Sequence, residues 1–63
     1  MATFKVVEEG SSTTWAGYSS LEEAVDAVSN KEKAYYIYEQ GTFSTTSCGV
    51  WKNGQKIANE KSW

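Results

Sequence analysis

The 63 residues predict an α+β fold of two layers, one short helix packed on a four- to five-stranded, mostly antiparallel sheet. Three observations point there. Apolar and polar residues alternate with the period of a strand at Thr3–Glu8. Apolar residues recur with the period of a helix behind Ser20. Two dipeptides of strong turn chemistry, Gly10-Ser11 and Asn53-Gly54, separate strand-like runs. The expected order is β-β-α-β-β-β, with strands pairing mainly with their chain neighbours.

Each element follows from its residues. Thr3–Glu8 sets Phe4 and Val6 on one face and Lys5 on the other. A two-residue turn at Gly10-Ser11 then places Glu8 opposite Thr13, Val6 opposite Trp15 and Phe4 opposite Gly17. Ser20-Leu21-Glu22-Glu23 fits a capping box, a serine followed three residues later by glutamate. Leu21, Ala24, Val25 and Val28 form the apolar stripe of the helix behind it. Glu22, Glu23 and Asp26 sit in its N-terminal half, where the helix dipole favours negative charge. Ser29-Asn30 ends it, because asparagine tolerates the left-handed cap conformation.

Tyr35, Tyr36, Ile37 and Tyr38 make the run Lys33–Glu39 a strand by propensity. Gln40-Gly41 supplies a turn, and Thr42–Trp51 is the longest candidate strand. Asn53-Gly54 suits a type I′ hairpin turn, which needs positive φ at both central residues. It sets Lys52 opposite Gln55, Trp51 opposite Lys56 and Val50 opposite Ile57. Residues 1–63 form one domain, in which 60–63 are expected to fray.

Strand parity assigns the faces. Without a bulge in Thr42–Trp51, one face holds Tyr35, Ile37, Cys48, Val50 and Ile57, and the other holds Tyr36, Tyr38, Phe43, Trp51 and Lys56. A one-residue slip exchanges these sets, and Gly49 is a credible bulge site. Either way, nine aromatic residues exceed what a helix stripe of one leucine, one alanine and two valines covers. An apolar surface left uncovered marks an interaction site.

Composition limits the chemistry. There is no histidine and no arginine, and Cys48 is the one cysteine. No histidine is present to activate a thiol, and apolar neighbours on a strand raise a thiol pKa, so Cys48 reads as structural. A single cysteine forms no disulfide within the chain, which fits the cytoplasm. Neither a zinc ligand set nor a glycine-rich phosphate loop is present. We therefore expect no catalytic residues, no cofactor and no metal. The longest apolar run, Ala34–Tyr38, is too short for a membrane span. Met1-Ala2-Thr3-Phe4 lacks the basic and apolar regions of a signal peptide.

The net charge of −2 is uneven: residues 1–39 carry −4 and residues 40–63 carry +2. The expected function is that of a small non-catalytic protein-binding module. Its expected contact groups are Tyr36, Tyr38, Phe43 and Trp51 on an aromatic sheet face, with Glu22, Glu23 and Asp26 as an acidic helix-side surface. Domains of this size are often encoded by phages and other mobile elements, where they modulate or inhibit a host protein in its cytoplasm. Homodimerisation or self-assembly through an edge strand is one alternative. The other is a nucleic-acid accessory role for Trp51, Lys52 and Lys56, disfavoured by the acidic balance and the missing arginine.

Overall fold

A computed structural model describes residues 3–11 and 14–63. It has the expected element order: β1 (Thr3–Glu8), β2 (Thr14–Tyr18), α1 (Leu21–Val28), β3 (Tyr35–Gln40), β4 (Thr45–Lys52) and β5 (Gln55–Ala58). The five strands form one antiparallel sheet in the order β2-β1-β3-β4-β5. One pairing departs from the neighbour rule. β1 lies between β2 and β3, so the chain leaves the edge strand β2, runs through α1 and returns on the far side of β1.

Local chemistry explains the helix. The Ser20 side chain accepts the Glu23 N–H at 3.1 Å, which satisfies one of the free donors of the first turn. The reciprocal half of the box is displaced by one residue. Glu23 Oε2 accepts from the Ser19 hydroxyl at 2.6 Å and from the Ser19 N–H at 3.4 Å. The C-terminus differs from expectation. Ser29 is the C-cap and stays right-handed, and among the described residues Asn53 is the one non-glycine with positive φ. The Ser29 hydroxyl and N–H instead donate back to the Asp26 carbonyl, and the Lys31 N–H to that of Val28. Asn30 therefore has no need of the left-handed form.

The core lies between α1 and the sheet. Val6, Ala24, Val28, Tyr35 and Ile37 form its buried cluster, with Phe4, Trp15, Tyr18, Leu21, Val25, Cys48 and Trp51 packed around it. Trp15 stacks on Tyr35 with ring centroids 5.6 Å apart. Burying side chains of this size stabilises by about 1.5–3 kcal/mol each, and this holds a helix of eight residues that is too short to persist alone.

Register decides which side chains share a face. Val6 pairs with Trp15, as expected, but Phe4 pairs with Tyr18 rather than Gly17, across an irregularity at which Gly17 has φ +103°. The tight turn is Glu9-Gly10, closed by Ser11 N–H to the Glu8 carbonyl at 3.1 Å, one residue before the expected centre. The Glu8–Thr13 pair lies outside the described residues. At the other end, Asn53 and Gly54 have φ of 53° and 79°. Lys52 and Gln55, and Trp51 and Lys56, pair as expected. Val50 pairs with Ala58 rather than Ile57, because Ile57 is an extra residue on β5.

The decisive irregularity is in β4. Ile37 pairs with Gly49 but Tyr38 pairs with Ser47, so Cys48 is a bulge. The bulge-free parity above therefore fails. Trp51 pairs with Tyr35 on the helix side, and Val50 pairs with Tyr36 on the open side. Phe43 is not on a strand. It sits in the loop before Thr45, 99% exposed, where the Gly41 N–H donates to the Ser44 carbonyl at 2.8 Å.

Candidate functional site

The expected contact residues separate into three places. Trp51 joins the helix, Tyr36 and Tyr38 stay on the open sheet face, and Phe43 stands alone at the β3–β4 loop. Lys52 and Lys56 likewise part company. Lys56 pairs with Trp51 on the helix side, while Lys52 is one residue on and faces the other way. The hairpin therefore does not gather Trp51, Lys52 and Lys56 on one surface.

The bulge creates a grouping that parity alone did not foresee. Trp51, Leu21 and Val25 line a groove of about 290 Å³ between α1 and β4, with Glu22 and Asp26 at its rim. Trp51 is half-buried and oriented by its indole N–H, which donates to the Cys48 carbonyl at 3.0 Å. Glu22 and Asp26 are exposed, and among the described residues neither forms an ion pair. Glu23, engaged with Ser19, belongs to the helix cap and is not among the residues lining the groove. The groove is thus an apolar floor beside two uncompensated carboxylates.

The open face is different in character. Tyr36 and Tyr38 stack with centroids 5.7 Å apart. A second groove of about 450 Å³ is lined by Val7, Thr14, Tyr36, Tyr38, Thr45 and Lys61, together with Ser11. Residues 59–63 carry no helix or strand, but Ser47 Oγ donates to the Asn59 carbonyl at 2.9 Å and Lys61 Nζ lies 5.7 Å from the Tyr36 ring centre. Val7 and Val50 flank Tyr36 in the sheet and are buried outside the helix-side cluster.

Burial pushes the Cys48 thiol up and the Glu39 charge adds to the rise, against the lowering effects of a hydrogen bond with the Glu39 backbone and of the Lys56 charge. A thiol held protonated is a poor nucleophile. No group of three or more metal-ligating side chains occurs among the described residues. No helix among them is long and apolar enough to cross a membrane.

Tyr35 was not anticipated as a polar anchor. Its hydroxyl donates to Glu8 Oε2 at 3.1 Å, and Lys33 approaches the other oxygen of that carboxylate at 3.4 Å. Burial raises its pKa above the usual 10.0, and the hydrogen bond to Glu8 and the Glu8 charge raise it further. A raised pKa in the folded state means a stabilising contribution present below pH 10 and lost as pH rises through the folded value. Tyr35→Phe is expected to cost about 1–2 kcal/mol at pH 7. Urea unfolding from pH 7 to 11 should show the two stability curves converging in alkali; a constant separation would contradict the role given to this hydroxyl.

Comparison with family models, curated proteins and solved structures finds no match.

Proposed function

We propose that the protein is a non-catalytic binding module that docks on another protein through the groove between α1 and β4. The observation that carries this reading is the meeting of Trp51 with Glu22 and Asp26 around one apolar depression. Tryptophan supplies a large rigid contact area, and half-buried aromatics of this kind dominate binding energy at interfaces. The two carboxylates set the partner's chemistry. A segment that places an apolar side chain in the groove and a lysine or arginine beside it satisfies both features. Such a module acts by occupancy, as a stoichiometric modulator or inhibitor, and its single thiol suits the reducing cytoplasm.

The test is selection from a displayed random-peptide library, followed by capture from the source cell's lysate. Enriched peptides should carry an aromatic or branched apolar residue next to a basic one. Glu22→Lys with Asp26→Lys should weaken binding at least about tenfold, since like charges then face each other across the contact. These two side chains are exposed, so the fold should persist by circular dichroism. Selected peptides that bind the reversed variant equally well would refute the proposal. Light scattering of the free protein checks self-assembly, for which the edge strands β2 and β5 are available.

A further inference from the structure

The register sorts the charges more sharply than the sequence suggests. Taking the helix side from Val6, Tyr35 and Ile37, alternation places Lys5, Val7, Thr14, Tyr36, Tyr38 and Ser47 on the opposite side. Glu8 and Glu39 face the helix side. Among the described residues, no strand residue of the open face is a carboxylate. Its cations are Lys5, opposite Tyr38, and Lys52, joined by Lys61 from the tail. Among the described residues none of the three forms an ion pair.

Glu22, Glu23 and Asp26 lie on α1, beyond the sheet. Packed layers are about 10 Å apart, and the Debye length at physiological salt is about 8 Å. The helix carboxylates are therefore largely screened from a ligand on the open face. Glu60 adjoins Lys61 in the tail. The net charge of −2 thus describes the whole molecule and not this surface.

We infer that the open sheet face binds single-stranded nucleic acid, with Tyr36 and Tyr38 as stacking platforms and Lys5, Lys52 and Lys61 as phosphate contacts. Lys61 Nζ lies over the Tyr36 ring, 5.7 Å from its centre, so a base that stacks on Tyr36 displaces this ammonium, which then pairs with the phosphate beside that base. Bases stack on such faces whatever their sequence, and ammonium groups beside them track the backbone. The missing arginine removes base-specific readout but not stacking or charge neutralisation. The occupant is set by charge and ring together, since an acidic polypeptide meets the lysines and leaves the tyrosine faces unused. This surface is opposite the Trp51 groove, so either assignment can fail alone.

The experiment is fluorescence anisotropy of the full chain with labelled oligothymidylate and oligoadenylate at low salt. Neutralising up to three phosphates on a single strand gives a log–log salt slope of about −2, a loss of roughly 16-fold between 50 and 200 mM salt. Tyr38→Ala should weaken binding at least about fivefold, while Tyr38→Phe, which keeps the ring, should retain it. Lys5→Gln should reduce the salt slope by about 0.7. Tyr38 is outside the buried core cluster, and circular dichroism of each variant confirms its fold. Absence of binding at 20 mM salt overturns the inference. So does equal competition by polyglutamate, which would mark an acidic protein as the occupant, or equal binding by Tyr38→Ala.

Discussion

Gly49→Ala should lower the stability of this domain by about 3 kcal/mol, the sum of backbone strain and an overpacked contact. Gly49 has φ +98°, a conformation that side chains rarely adopt. An added Cβ would lie 2.7 Å from the Ala58 carbonyl and 2.5 Å from Lys56 Cε. The lysine chain can swing aside, but the carbonyl belongs to β5 and moves only with that strand. A domain of this length has roughly 3–9 kcal/mol of stability in total. Thermal melting should therefore fall by about 12–24 °C. A variant melting within about 3 °C of the parent would mean that the bulge relaxes without cost.

Ile37→Ala should cost about 2–5 kcal/mol, the range for truncating a fully enclosed aliphatic side chain. Ile37 is 0% exposed and pairs with Val6 on one side and Gly49 on the other. Gly49 has no side chain to refill the space, and α1 contributes only Ala24 and Val28 to the buried cluster. At the upper end of the range the chain is largely unfolded at room temperature, and urea titration by tryptophan fluorescence would show it. A loss below about 1 kcal/mol would place the centre of the core elsewhere.

Elements encoded by short-range chemistry were legible before the structure. Ser20 caps a helix of the expected length, Asn53-Gly54 makes the expected turn, and Val6 meets Trp15. Each depends on residues within about ten positions. The pairing of β1 with β3 was not legible, because nothing in Thr3–Glu8 or Tyr35–Gln40 states that β2 must lie outside. The faces of β4 failed for a related reason. Gly49 marked a possible bulge, but only the pairing of Ile37 with Gly49 and Tyr38 with Ser47 shows that Cys48 is the extra residue.

That one residue redistributes the candidate site. Trp51 moves to the helix side and joins Glu22 and Asp26, which sequence parity sets on a separate acidic surface. Tyr36 and Tyr38 keep the open face and acquire Lys5 and Lys61 as neighbours. Phe43 falls outside both, since β4 begins at Thr45 and not at Thr42. The excess of aromatics over helix-covered surface is thereby divided between two faces of opposite charge.

Both surfaces depend on the side of the sheet that Trp51 occupies. Proton NMR of the free protein measures this directly through nuclear Overhauser contacts of the Trp51 indole. The bulge predicts contacts to Tyr35 or to the Leu21 and Val25 methyls, none to Tyr36 or Tyr38, and an indole N–H that exchanges slowly because it donates to the Cys48 carbonyl. Contacts from the Trp51 ring to Tyr36 or Tyr38 would contradict the account.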